Sequence, residues 1–144
     1  MIRLDALKEA LGLKDVVRAG WVLAGVKNPE SVAAHSWGMA LLAIELCPPE
    51  LDLARVLTLC VLHDLAEVRV GDITPHDGVS GEEKHRRESE AIQAFGLNAI
   101  SAFEEYEAQV TPESQFVKRL DKMDMALQAD IYEAQGLDLS EFKQ

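Results

Sequence analysis

Two stretches of this sequence are apolar on nearly every face of a helix, and they constrain the fold more than any other feature. The first covers residues 32–44 and the second covers residues 53–67. Since a helix that is apolar all round is normally buried, the pattern predicts two helices inside a helical bundle. Titratable side chains in such helices are costly unless they are paired or bind a metal. Those side chains are therefore the first candidates for functional residues.

The rest of the chain also predicts helices, each bounded by turn or capping residues. Ser31, Asp52 and Ser80 suit N-cap positions, Ser80 has capping-box spacing to Glu83, and Pro112 suits a first helical position. No segment alternates long enough to predict a strand. The length and pattern predict one all-α domain over residues 1–144. The predicted helices cover about residues 4–11, 14–23, 32–46, 53–66, 81–95, 97–108 and 112–134, with a loop over 67–80.

The chain is acidic, with 25 Asp and Glu residues against 14 Lys and Arg residues and a formal net charge of −11. An acidic surface repels nucleic acids and anionic membranes, so we expect neither as a partner. An anionic small-molecule substrate would need a local positive centre, and a bound divalent metal can supply one.

Cys47 and Cys60 lie in apolar runs, which predicts buried free thiols rather than a metal-binding or redox pair. The N-terminus lacks the continuous apolar stretch of a signal peptide. No run of about 18 apolar residues predicts a membrane span. We therefore expect a cytoplasmic protein.

Titratable residues occur in both apolar stretches. His35 lies in the first, and His63, Asp64 and Glu67 lie at the end of the second. Imidazole and carboxylate groups together suit a divalent cation. The adjacent His63 and Asp64 point about 100° apart on a helix, so they converge only at a helix end or a distortion. A single buried histidine is more often a hydrogen-bonded core residue, so this pattern alone does not establish a metal site.

A fourth ligand would come from another helix, and the sequence offers two aspartates for it. Asp124 lies beside the apolar stripe of the predicted helix over residues 112–134, whereas Asp121 lies further round. Periodicity alone therefore slightly favours Asp124 and leaves the choice open. The stripe consists of Phe116, Leu120, Met123, Leu127 and Ile131.

Several short motifs, in order from about residue 15 to about residue 134, resemble the HD-domain superfamily. His35, the His63-Asp64 pair and Asp121 match its H…HD…D signature. The closest similarity is to the HD-domain 5′-deoxynucleotidases, in the branch of the HD-domain-containing protein 2 type. The motifs that carry it are Gly20-Trp21-Val22, residues 28–32 before His35, residues 62–67, residues 70–75, residues 82–88 and residues 116–122.

The resemblance implies a single HD-domain bundle with a metal held by His35, His63, Asp64 and Asp121. It thereby selects Asp121 over Asp124. It also implies hydrolysis of deoxyribonucleoside 5′-monophosphates to deoxynucleoside and phosphate. The cation could be Mn, Co, Mg, Fe, Ni or Zn, and a homodimer or higher homo-oligomer is expected.

The resemblance further implies that Glu67, Asp72 and the backbone of Ile73 line the site and can hold a second metal. We expect Glu67 to act as general acid or base, with a solvated helix-end carboxylate as the alternative. Asp72 is expected to be catalytic or to contact the sugar, with an ordinary turn residue as the alternative. His35 is also expected to contact substrate.

Three further residues are candidates for substrate binding, namely Arg18, Trp21 and Lys84. Trp21 would orient the phosphate or the base, with a core aromatic as the alternative. Lys84 is expected to pair with Glu88 or with site carboxylates, or alternatively to meet a phosphate. Trp37 is predicted to be an ordinary core residue.

Two features depart from the resemblance. Some bacterial relatives have Arg immediately before the tryptophan, where this chain has Gly20, so Arg18 would have to serve instead. The chain also stops at Gln144, where relatives often continue, and this predicts a more open pocket, a changed dimer or an altered substrate choice. Competing functions are an HD phosphohydrolase for a triphosphate, cyclic dinucleotide or alarmone, and a weakly catalytic metal-bound dimeric module.

Overall fold

A computed structural model describes residues 2–144, which form eight α-helices joined by loops and short 3-10 turns. These residues contain no β-sheet, only an isolated antiparallel bridge between Val17 and Ser31. The predicted all-α fold is therefore confirmed. The helices are α1 (Leu4–Leu11), α2 (Ala19–Leu23), α3 (Val32–Leu46), α4 (Leu53–Leu62), α5 (Glu67–Val70), α6 (Gly81–Ile92), α7 (Leu97–Ala108) and α8 (Pro112–Tyr132).

The centre of the bundle is formed by α3, α4 and α8, which pack against one another, with α7 packed on α4 and α8. Met39, Val56, Leu59 and Leu120 are essentially inaccessible to solvent there. Burying each of these side chains contributes about 1.5–3 kcal/mol. None of the described helices combines the length and hydrophobicity that a bilayer crossing requires.

Local capping explains where four of the helices begin. The side chains of Ser31, Asp52, Ser80 and Thr111 each accept a hydrogen bond from the backbone N–H three residues later. Such a cap stabilises a helix by about 1 kcal/mol. The capping box expected at Ser80 is half formed, because Glu83 instead accepts hydrogen bonds from two arginines of its own helix.

Two predicted boundaries were wrong, and both differences shape the candidate site. The helix predicted over residues 14–23 is interrupted, because residues 16–18 are extended and pair with the chain before α3. There Val32 N–H donates to the Val16 carbonyl at 2.7 Å and Arg18 N–H donates to the Glu30 carbonyl at 3.0 Å. The second apolar helix ends at Leu62 instead of about residue 66, and α5 begins inside the predicted loop.

The full burial predicted for the two apolar helices was also wrong. Trp37 is 68% exposed, and Leu41 and Ile44 on the same face of α3 are exposed with it. Val61 is exposed on α4. These helices therefore bury one side in the bundle and line a surface groove of about 700 Å³ with the other, opposite α1 and the start of α7.

A C-terminal 3-10 turn at Ser140–Lys143 was not predicted and folds back onto α8. Leu139 is fully buried just before it, and Phe142 packs against Trp21. Cys60 is buried and Cys47 half-buried, and both are free thiols.

Candidate active site

Helix α3 and the segment just after α4 bring two histidines and an aspartate together inside the bundle. His35 lies in the first turn of α3, while His63 and Asp64 lie just beyond the end of α4. One donor atom from each of the three lies within 4.8 Å of the other two. His63 is the C-cap of α4 and keeps helical backbone angles, but the chain then continues in tighter turns, with the Leu65 N–H donating to the Leu62 carbonyl, so His63 and Asp64 meet at a helix end.

Two aspartates of α8 hold the ring of His35, one at each nitrogen. His35 Nε2 lies 2.7 Å from Asp121 Oδ1, and His35 Nδ1 lies 2.6 Å from Asp124 Oδ2. Burial by itself lowers the pKa of His35, but these two hydrogen bonds outweigh it and raise the pKa to about 9. Tyr106 on α7 donates a hydrogen bond to the other oxygen of Asp121 at 3.3 Å.

Buried polar atoms without a partner give a direct test of whether the cluster fits a cation. His63 Nδ1 donates to the Cys60 carbonyl at 3.0 Å, so Nε2 is the nitrogen available to a cation. His63 Nε2 is buried 3.0 Å from Asp64 Oδ2 without a well-directed hydrogen bond; burial by itself lowers the pKa of His63, but the charge of Asp64 outweighs it and raises that pKa. A buried nitrogen that faces a carboxylate without a directed hydrogen bond suits a site where a cation lies between the two, so the donor set fits a divalent metal.

Glu67, the first residue of α5, is only 5% exposed, and its Oε2 has no hydrogen-bond partner among residues 2–144. Burial raises the pKa of Glu67 to about 10, and the charges of Asp64 and Asp72 add to the effect. The alternative of a solvated helix-end carboxylate is wrong. In the metal-free protein burial therefore favours the protonated form of this side chain.

A second pocket, of about 720 Å³, is lined by residues of α2, the loop after α5, α8 and the C-terminal turn, and by none of the cluster residues. Asp72 accepts a hydrogen bond from the Ala19 N–H at 2.8 Å, which ties the loop after α5 to the start of α2. Arg18 lines this pocket, and its positive charge by itself lowers the pKa values of His35, Glu67 and Asp121, so the pocket and the cluster are linked electrostatically. The predicted residues that line this pocket are Arg18, Trp21, Asp72 and Ile73.

Trp21 and Lys84 are not among the residues that contact the cluster. Trp21 is 1% exposed, and its only donor, Nε1–H, bonds Glu30 at 2.9 Å, so it is chiefly a core aromatic with one side on the pocket. Lys84 is half-buried, and within the described chain it forms no direct ion pair with Glu88. Burial raises the pKa of Glu88 to about 7, only partly offset by the charge of Lys84.

Comparison with known proteins decides the family. The HD domain model matches residues 11–144. The chain belongs to the HD-domain family. It is 43% identical to the 5′-deoxynucleotidase hdd1 of Schizosaccharomyces pombe, over 90% of this chain and 73% of that protein. It is 43% identical to the human 5′-deoxynucleotidase HDDC2, over 84% of this chain and 63% of that protein.

A solved archaeal structure has the same architecture. A conserved hypothetical protein from Pyrococcus furiosus superposes with a TM-score of 0.86 at 37% identity, over 99% of this chain and 90% of that one. The chain thus spans nearly all of this archaeal protein but only about two thirds of the two eukaryotic relatives.

Sequence reasoning missed the supporting residues of this HD-domain site. Asp124 was considered only as a rival ligand, whereas it contacts the far nitrogen of His35. A signal for this existed in Gly38, a glycine inside an apolar helix. A Cβ at Gly38 would lie 2.2 Å from Asp124 Oδ1, so only glycine lets that carboxylate reach the ring. No sequence pattern pointed to Tyr106 as a site residue, because its partner Asp121 is 15 residues away on another helix.

Proposed function

We propose that this HD-domain protein is a metal-dependent phosphomonoesterase that converts deoxyribonucleoside 5′-monophosphates to deoxynucleoside and phosphate. The buried cluster of His35, His63, Asp64 and Asp121, with an unpartnered imidazole nitrogen in it, carries this proposal. The names of the eukaryotic relatives support the substrate class, at 43% identity over most of this chain.

In this proposal His35, His63, Asp64 and Asp121 hold one divalent cation, of the group Mn, Co, Mg, Fe, Ni and Zn. When bound, such a cation neutralises phosphoryl charge and lowers the pKa of a water molecule. Asp124 acts by orienting His35, since a carboxylate on the second ring nitrogen keeps a ligand imidazole in place. Glu67, Asp72 and the backbone of Ile73 are the candidates for a second cation.

Side chains of the protein supply proton donation and substrate binding. Glu67 holds the proton that the departing 5′ oxygen of the deoxynucleoside needs, because an alkoxide leaves poorly without one. Arg18 brings a positive charge for the phosphate to a site that is rich in carboxylates. Asp72, which lies near Arg18 in the same pocket, accepts a hydrogen bond from a sugar hydroxyl. His35 would contact substrate only through the phosphate oxygens at the cluster.

We also propose that the protein is a homodimer that buries the groove lined by α1, α3 and α4. Trp37, Leu41 and Ile44 form one exposed apolar stripe, and a contiguous patch of this kind marks an interface. The same stripe on a second copy can pack against it about a two-fold axis. The two free cysteines accord with a reducing compartment, so we expect the dimer in the cytoplasm.

The decisive experiment measures phosphate release from the four deoxynucleoside monophosphates, with manganese or cobalt added to metal-free protein. Parallel reactions contain the ribonucleotides, a deoxynucleoside triphosphate, a cyclic dinucleotide and a guanosine alarmone. We expect turnover of the deoxynucleoside monophosphates. Preferred turnover of another ester would point to a different HD phosphohydrolase, and metal uptake without any turnover would point to a binding module.

A further inference from the structure

The second pocket has a charged side and an apolar side. Arg18 and Asp72 lie together, because Asp72 accepts a hydrogen bond from the Ala19 N–H next to Arg18, while Met125 and Phe142 pack against the core cluster that contains Trp21. A volume of about 720 Å³ is within the range of small-ligand pockets. A ligand that fits it would be charged or hydroxylated at one end and flat and apolar at the other.

The apolar side depends on the C-terminal turn, which is firmly anchored. Leu139 is fully buried, and its N–H donates to Glu133 Oε2 at 3.3 Å. Lys143 forms ion pairs with Asp130 and Glu133 on the last turns of the preceding helix. The turn is therefore positioned by contacts with α8 and not by the pocket itself.

Phe142 is the residue through which this turn shapes the pocket. Its ring centroid lies 4.5 Å from that of Trp21, with the two planes tilted by 40°. A Cβ added at Gly20 would lie 3.4 Å from Phe142 Cε1. Gly20 therefore adjoins the ring of Phe142 beside Trp21.

We propose that Phe142 is a specificity-determining residue that stacks on the base of the nucleotide substrate; the proposal rests on the proposed nucleotidase function. Arg18 and Asp72 then take the phosphate and sugar end, which directs the phosphate toward His35 and Asp121. None of the cluster residues lines this pocket. Phe142 is expected to affect which base is accepted while leaving the hydrolytic step unchanged.

The test begins with binding, which needs neither metal nor turnover. In a Trp37→Phe protein the only tryptophan is Trp21, which lines the pocket and touches Phe142. Deoxyadenosine and thymidine are titrated into this metal-free protein while its tryptophan fluorescence is followed, and calorimetry measures the same Kd. Phe142→Ala is expected to weaken binding about tenfold, since an aromatic stack contributes that much per base.

Two further variants separate stacking from stability. Phe142→Leu keeps an apolar anchor but loses the flat face, so its melting temperature should stay near that of the parent while binding is still weakened. Val110→Ala removes an exposed apolar side chain away from both pockets and should change nothing. Parent protein that binds no deoxynucleoside at millimolar concentration, or variants that all bind equally, would overturn the proposal.

Kinetics with the metal-loaded enzyme then distinguish this proposal from the proposed function. Phe142→Ala should change the ratio of kcat/KM for dAMP over dTMP about threefold or more through KM, with kcat for the better substrate nearly unchanged. If the Phe142→Ala enzyme is active but its ratio of kcat/KM for dAMP over dTMP is unchanged, the role of Phe142 is refuted and the nucleotidase function is not. Deoxynucleoside binding without hydrolysis of any monophosphate would refute the nucleotidase function and leave the pocket as a nucleoside site.

Discussion

The two faces of α3 are nearly equally apolar in sequence, but in the structure one face is buried and the other is exposed. The inner face places His35 and Met39 at 0% exposure against α4 and α8, whereas the outer face leaves Trp37 68% exposed. The inner face is held by matched polar contacts at both nitrogens of His35. The outer face has no partner within the described chain. Hydrophobicity therefore decides that a face must be covered, but not what covers it.

The largest expected effect comes from removing a histidine of the candidate metal cluster, to which the inner face of α3 contributes His35. His63→Ala deletes the unpartnered Nε2 and should lower phosphate release about a thousandfold, because loss of a ligand removes the cation's charge stabilisation. It should also abolish the rise in melting temperature that manganese or cobalt causes in the wild-type protein. His85→Ala, which changes an exposed histidine outside both pockets, should retain both properties. Equal activity in the two variants would contradict the assigned cluster.

Asp124→Asn tests the far nitrogen of the same His35 ring. The amide keeps the shape but loses the charge that orients the ring, so cation affinity or activity should fall about 10- to 100-fold. Asp121→Asn, on the opposite nitrogen, should cost more, because Asp121 is a proposed ligand. Cation titration by calorimetry and initial rates compare the two proteins. A larger loss in Asp124→Asn than in Asp121→Asn would reverse the assignment of ligand and orienting residue.

Gly38→Ala tests the packing that lets Asp124 reach the ring. The added Cβ would lie 2.2 Å from Asp124 Oδ1, so overpacking should lower the free energy of unfolding by about 1–3 kcal/mol. Ser36→Ala, two residues earlier, removes a buried hydroxyl with no hydrogen-bond partner in the described chain and should be neutral or stabilising. Urea denaturation measures both. A destabilised Ser36→Ala protein with an unchanged Gly38→Ala protein would show that this part of α3 packs differently.

The outer face should give the smallest effect on the folded chain. Trp37→Glu should change the free energy of unfolding of the monomer by only about 0.5 kcal/mol, because an exposed side chain makes few contacts. The proposed dimer should nevertheless dissociate, since a charge would enter the centre of its interface. Sedimentation velocity measures the assembly, and Val110→Glu is the matched exposed control. A wild-type monomer, or a variant that sediments as the wild-type dimer, would eliminate α3 as the interface.

Local rules predicted most of the helical framework. Ser31, Asp52, Ser80 and Thr111 cap their helices through contacts three residues away, so short-range chemistry was enough to place these starts. The prediction over residues 14–23 failed because the extended segment there is held by Ser31 and its neighbours, well along the chain. The expected pair of Lys84 and Glu88 did not form for a similar reason, since packing around α6 decides where each side chain points.

The sequence by itself determined the all-α class, the starts of the capped helices and the residue types that gather in the candidate site, because these follow from periodicity, capping and the cost of burying charge. Only the tertiary structure decided that Asp121 and Asp124 hold opposite nitrogens of His35, that Glu67 is buried and that Phe142 closes on Trp21. Each of these depends on groups distant in the chain that meet at a few ångströms. Side-chain geometry at that range is set by the packing of whole helices, which no local pattern specifies.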